Sequence, residues 1–434
     1  MPIAATPPRW RDTLASLKVP NFRLFTLSNV IAMSAIWMQR IAQDWLVLEL
    51  TGSVVAVGIT VAMQFSPMLV FGLFGGVIVD RRSKRMLLMI TQSIIGTLSL
   101  LLAVLALSGA VQVWHVYLIA LVVGFVSIID NPARQVFVNE IVGPRHLRNA
   151  ISVNSSVFQL GGLIGPAVAG ILLVAVGAGW AFAINAAACL ITVFTLSQLR
   201  TSALIRTPPM PRSKGQLRQG IRYAAGKPTI LFPLIMLAFL AVFALNMPVM
   251  LAAYAADVFN LGAGGYGLFN SLVATGALVG ALASTRTAGV RLRSVIAAGG
   301  LWGVLQATAG LMPNVVAFSA VLVLSGFATL LFFTAANSLI QLTSNLGIRG
   351  RVMSLYVLIM MGGQALGGPL MGVIVEHFGA HFGMIVSGLV PAVAAGMLGV
   401  LLARRGGLTL HWSRHHPLQL VVPRPSENSP SPFE

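Results

Sequence analysis

Apolar residues along this chain come in long runs separated by short polar gaps, and the runs are too long for strands or ordinary core helices. A helix rises 1.5 Å per residue, so about twenty apolar residues cross the ~30 Å hydrocarbon layer of a bilayer. Runs of that length occupy 22–50, 54–79, 86–108, 113–138, 149–176 and 180–199, then 229–252, 265–284, 293–312, 315–342, 351–375 and 382–403. They predict an all-α integral membrane protein of twelve transmembrane helices, arranged as two six-helix bundles over 22–199 and 229–403. The stretch 200–228 between them is rich in bases and proline and has no acid, as expected of a linker. Within it, 216–225 predicts a short helix lying on the membrane surface. Segment 1–21 precedes the first run, and the tail 404–434, rich in proline and serine, is predicted to be disordered.

Composition agrees with this and narrows the class. Of 434 residues 57% are hydrophobic and 9% charged, more apolar surface than a soluble domain can bury. The net charge of +18 suggests nucleic acid at first sight, but the bases form no stripe that could follow phosphates. Every lysine and arginine except Arg40 lies outside the runs or within a few residues of a run end, before or at the start of the first run, around alternate gaps, or after the last run. By the positive-inside rule those gaps face the cytoplasm, which places both termini there in a multi-pass protein of the cell (inner) membrane. Cys189 is the single cysteine, so no internal disulfide forms. The N-terminus lacks the pattern of a cleaved secretory signal. No Gly-x-x-x-x-Gly-Lys-Ser/Thr loop for nucleotide and no His-Glu-x-x-His or cysteine–histidine set for a metal is present, which argues against an ATP-driven pump and against an enzyme. His411, His415 and His416 are read as part of a solvated tail, and Asp257 and Glu376 as structural acids at helix ends.

The halves repeat. Gly72, Gly76 and Asp80 match Gly276, Gly280 and Ser284 at an offset of 204, and Arg148, Gly165 and Pro166 match Arg351, Gly368 and Pro369 at 203. Such a parallel repeat expects the substrate site between the halves.

Chemistry within the membrane is sparse. The first run carries Gln39, Arg40, Gln43 and Asp44 on one broad stripe, with Asn29 and Ser34 below them. A charge at mid-membrane costs roughly 2.5–3.5 kcal/mol on insertion scales, so Arg40 should face protein or a watery cavity. Asp44, one turn on, shares its face. Two readings stay open: a cavity face on which Asp44 gains and loses a proton, or a structural Arg40–Asp44 ion pair. The fifth run carries Gly161, Gly165, Pro166 and Gly170, small residues that allow close helix approach, and Asn246-Met247-Pro248 in the seventh run offers a second bend.

The loop after the second run, Gly76-Val77-Ile78-Val79-Asp80-Arg81-Arg82-Ser83-Lys84-Arg85, resembles the signature loop of the major facilitator superfamily, with Ser83 where the family usually has glycine. The stretch from Trp37 to Gly52, and Asp130-Asn131-Pro132-Ala133-Arg134-Gln135, resemble a subgroup of bacterial drug exporters that includes macrolide efflux proteins and the enterobactin exporter. The resemblance implies a monomeric exporter of a small, partly apolar molecule, with no cofactor beyond a proton gradient and with rocking of the halves about a central cavity. It implies a cytoplasmic latch, closed when the carrier faces outward, in which Lys84 and Arg81 meet Asp130 while Asp80 caps the eleventh helix near Arg351; a static anchor is the alternative. It also likens the fifth-run glycines to the exporters' glycine–proline motif, for which packing is the alternative. A facilitator or importer, a lipid flippase and a non-transporting sensor or scaffold share the same spans.

Overall fold

The computed structural model describes residues 15–205, 216–284, 290–405, 409–413 and 416–421. Helices are numbered here after the runs that predicted them. They are Pro20–Thr51, Val54–Arg81 and Lys84–Leu107; the two arms of Val113–Ala175; Ala178–Gln198; the interrupted Pro228–Val258; then Gly262–Ser284, Leu292–Ala309, Val315–Thr343, Leu346–Phe378 and Ala380–Arg405. Ten of these stretches are long and apolar enough to cross a membrane. The first and ninth fall outside that set: the first carries Arg23, Arg40, Asp44 and Glu49, and the ninth, long enough at 18 residues, is made less apolar by Arg293, Ser294 and Gln306. A short helix, Gln216–Ala225, forms where the linker's pattern predicts one. In the tail, Thr409–Ser413 and His416–Val421 pair as an antiparallel hairpin, a departure from the expected disorder at those residues. Their alternation of apolar and polar residues has the two-residue period of a strand.

Local sequence explains the breaks. Gly143 adopts φ 67°, ψ 179°, which splits the fourth and fifth arms just before Pro144. In the seventh helix the ladder is interrupted at Leu245 and Asn246, after a wide turn at Leu240–Ala244. Asn246 Nδ2 donates to the carbonyls of Ala241 and Val242, so the bend read from Asn246-Met247-Pro248 is present and its backbone acceptors are satisfied.

The two halves use the same pairings. Gly161 abuts Met33, joining helices one and five, as Gly363 abuts Ala241 between seven and eleven. Gly96 meets Cys189 between three and six, as Gly303 meets Gly388 between nine and twelve. Gly124 lies on the Gln64 carbonyl between two and four, as Gly326 lies on the Val273 carbonyl between eight and ten. Lipid tails are as apolar as leucine, so helices associate by close backbone packing rather than by hiding apolar area, and glycine permits the approach.

Between the halves the packing is uneven. At the end poor in bases, one hydrophobic core runs through both halves, with Leu46 and Val57 from the first and Tyr254, Phe318 and Met371 from the second. At the base-rich end each half has its own core, around Phe22, Leu88 and Phe137 in one and Ile230, Phe332 and Tyr356 in the other. The halves are therefore sealed together at one end and packed separately at the other.

Candidate functional site

The seal is built from two glycine crossings related by the repeat. A Cβ on Gly58 of helix two would lie 2.3 Å from the Gly368 carbonyl oxygen of helix eleven, and a Cβ on Gly267 of helix eight 2.5 Å from Gly170 Cα of helix five. Polar contacts reinforce these crossings. Ser53 Oγ donates to Glu376 Oε2 at 2.5 Å, and the Val55 N–H donates to the same oxygen at 3.1 Å. Glu376 thus sits at the N-terminus of helix two, where free N–H groups and the helix dipole favour a carboxylate. Glu376, by sequence a structural acid at its own helix end, also serves a second helix, whose Ser-Val-Val start lacks an acid of its own.

Just inside the seal lies the acid from the first helix. Asp44 is buried, and Tyr266 of helix eight donates its hydroxyl to Asp44 Oδ2 at 3.1 Å. Tyr266 is fully buried and stacks on Trp45, with ring centroids 5.9 Å apart. This hydrogen bond connects the halves across 222 residues of sequence. Arg40 follows another course. It is part-exposed, and its guanidinium lies 5.3 Å from the Trp37 ring centroid and 5.6 Å from that of Phe65 on helix two. Among the described residues the ion pairs are Lys84–Glu140 and Arg134–Asp130. The structural Arg40–Asp44 ion pair left open by the sequence is therefore not formed, because each side chain has turned to a different partner.

Gln39 departs from the predicted face. Its Oε1 accepts from Ser99 Oγ at 2.8 Å and from Asn185 Nδ2 at 2.5 Å, deep among helices one, three and six. Five residues separate Gln39 from Asp44, about 140° around a helix, so the broad stripe divides into two faces. Gln43 is buried on the Gln39 side. The second half repeats the inner arrangement, with Gln306 Nε2 donating to Ser387 Oγ at 2.9 Å between helices nine and twelve.

Toward the base-rich end the predicted latch takes other partners. Lys84 is buried and pairs with Glu140 at 3.5 Å, not with Asp130. Depth explains the difference in this form, in which the halves are packed separately at the base-rich end: Asp130 is level with Thr91 and Gln92, several residues into helix three, whereas Glu140 lies ten residues, about 15 Å, further along helix four. The sequence signal for Glu140 was its place on a helix that outlasts the apolar run. Arg81 is exposed and does not meet Asp130. Arg85 donates to the Leu196 and Ser197 carbonyls at 2.6 and 2.8 Å, capping the C-terminus of helix six. Arg351 donates to Gln219 of the linker helix. The side chains of 73–77 and Asp80 lie outside those described, and with them the expected role of Asp80 and the family loop's Gly76.

Asp130 belongs instead to a buried network. Its Oδ1 accepts from Thr91 at 2.6 Å and Gln92 at 3.0 Å, and Arg134 Nη2 reaches Oδ2 at 3.2 Å. Arg134 also donates to Asn29 Oδ1 at 2.8 Å, and Asn29 donates to Asn154 Oδ1 at 3.0 Å, so helices one, three, four and five are linked. Removing one partner of a buried pair strands the other, at a cost of about 3–5 kcal/mol. Arg134→Met is therefore expected to lower the melting temperature of the purified protein markedly, and the double variant Arg134→Met/Asp130→Leu to recover much of the loss. Equal loss in both would show that the network adds nothing beyond packing.

The fifth-helix glycines perform two tasks. Gly161 and Gly165 seat helix five on Met33, Ser34 and Trp37 of helix one, whereas Gly170 and the Pro166 carbonyl form the crossing with Gly267 in the other half. Only Gly170 and Pro166 of the motif thus touch the seal.

Comparison with known proteins places this architecture. A family model described as transmembrane secretion effector matches residues 11–421. The enterobactin exporter EntS of Escherichia coli O1:K1 / APEC is 26% identical over 398 residues, covering 91% of this chain and 94% of its own. Among solved structures, a POT family transporter in complex with 5-aminolevulinic acid superposes with a TM-score of 0.70 at 12% identity, over 89% of this chain and 96% of that one. A bacterial homolog of the human lysosomal transporter Spinster superposes with a TM-score of 0.66 at 15% identity, over 89% and 96%. These likenesses, the helical fold and the spans long enough for a bilayer agree on a multi-pass membrane transporter and not an enzyme. The chain belongs to the transmembrane secretion effector family of major facilitator transporters.

Proposed function

We propose that this protein exports a small, partly apolar molecule across the bacterial inner membrane in exchange for protons. It would cross the bilayer twelve times, act as a monomer with both termini in the cytoplasm, and use the proton gradient with no bound cofactor. With bases on the cytoplasmic side, the sealed end faces outward and the separated end opens to the cell interior, where cargo enters.

The observation that carries this reading is the Tyr266–Asp44 hydrogen bond. The membrane-buried carboxylate joins the halves directly beneath the outer seal. When the halves part at that end, the Tyr266 hydroxyl leaves Asp44, and the carboxylate faces outer water from which it takes a proton. Re-forming the seal brings the hydroxyl back and sends the proton inward. One titrating group so placed ties a proton's passage to the rocking of the halves. The buried Lys84–Glu140 pair and the Arg85 cap act in this scheme as static anchors of the first half, since all five residues involved lie within it. Substrate-dependent proton movement into liposomes holding the purified protein, compared with Asp44→Asn, tests the reading.

A further inference from the structure

The structure separates two charges that the sequence places one helical turn apart. Asp44 is engaged by Tyr266, and Arg40, although the Asp44 charge one turn away still acts on it, forms no ion pair among the described residues. Arg40 lies between the rings of Trp37 and Phe65, all three part-exposed, on the face of helix one that leads to the other half. Phe158 extends the aromatic surface, edge-on to Trp37 at 5.6 Å. A guanidinium at membrane depth is costly to maintain without an anion, and ring faces compensate only part of that cost. Its planar donors match carboxylates, phenolates and phosphates, and the rings beside it offer stacking to an apolar body.

We propose that Arg40, with Trp37 and Phe65, binds the acidic group of the exported molecule, so that the cargo is an organic anion with an apolar, preferably aromatic, frame. This rests on the export reading and names its substrate class. It also supplies a release step. While Tyr266 holds Asp44, Arg40 is left to the cargo's anion. Once the outer end opens and Tyr266 withdraws, the Asp44 carboxylate competes for Arg40 from one turn away and displaces the anion outward. Protonation of Asp44 then frees Arg40 for the next cycle. The loaded site carries one net negative charge outward and the protonated empty site one net positive charge inward, so an inside-negative membrane potential favours both legs.

The test uses equilibrium fluorescence polarisation on the purified full chain in nanodiscs, with no pH gradient. The probes are two dyes sharing one ring system: fluorescein, an anion, and rhodamine 6G, a cation. Saturable fluorescein binding is expected, at least about tenfold tighter than rhodamine 6G, with Arg40→Gln weakening it about tenfold or more and Arg40→Lys less. Fluorescein binding no tighter than rhodamine 6G to the unmodified chain, or unchanged in a folded Arg40→Gln, overturns the proposal. The dye comparison needs no variant and so stands even where Arg40→Gln fails to fold. Because binding is read without a gradient, failure here leaves proton-coupled export intact, and failure of proton coupling leaves an anion site intact.

Discussion

Asp44→Asn is expected to abolish substrate-dependent proton flux while leaving the protein folded and its outer seal closed. The carboxamide is nearly isosteric with the carboxylate and still accepts the Tyr266 hydroxyl, so the contact between helices one and eight survives. What is lost is the ability to carry a proton. The measurement is pH-dye fluorescence inside liposomes with an imposed gradient, across a panel of dyes and antibiotics. Tyr266→Phe is the companion variant. It removes the hydroxyl but keeps the ring stacked on Trp45, so coupling should loosen, with proton leak in the absence of substrate, rather than vanish. Transport that persists in Asp44→Asn and ignores pH would remove Asp44 from the mechanism and leave a facilitator.

Gly58→Val is expected to shift the protein toward a form open at the base-poor end. A side chain at this position meets the Gly368 carbonyl at 2.3 Å, and the contact is backbone against backbone, with no flexible group to yield. Overpacking of this kind costs about 1–3 kcal/mol, and it acts only in the sealed state. The ratio of open to sealed forms should therefore rise by roughly 5- to 150-fold. Thiol labelling reads this directly, because the single native thiol, Cys189, is buried between helices three and six. A cysteine at Val61, which packs under the crossing beside Gly368, should be shielded from a membrane-impermeant maleimide added to the base-poor side. In the Gly58→Val background it should become reactive, and transport should fall because the return to the cargo-accepting form is penalised. Unchanged labelling together with full transport would mean that the crossing is not the gate.

Both expectations depend on how the repeat is used. The sequence repeat brings glycines to matching places, but it does not make the halves equivalent in chemistry. The first half has Asp44 beneath the seal and the Asp130–Arg134 network below it, whereas among the described residues the second half's acids, Asp257 and Glu376, both lie toward the base-poor end. Charge-bearing work is thus concentrated in the first half, with Tyr266 as the second half's contribution to the same site.

Chain order alone determined much of this protein. The helices follow the apolar runs to within a few residues, because satisfying backbone groups in lipid leaves a long apolar run no option but a helix. The linker helix, the seventh-helix bend, the close helix approach at Gly165 and the placing of an acid within the membrane at Asp44 were likewise local properties, set by periodicity, proline and the scarcity of membrane charges. Tertiary structure decided the partners. A helical stripe tells which residues share a face, but not how far the helix is rotated or at what depth a neighbour arrives. Hence Gln39 parted from Asp44, Lys84 found Glu140 ten residues beyond the expected Asp130, and Asp44 took a hydroxyl 222 residues away in preference to Arg40 one turn off. Those choices follow from how glycine crossings set the distances between helices, which no single helix encodes.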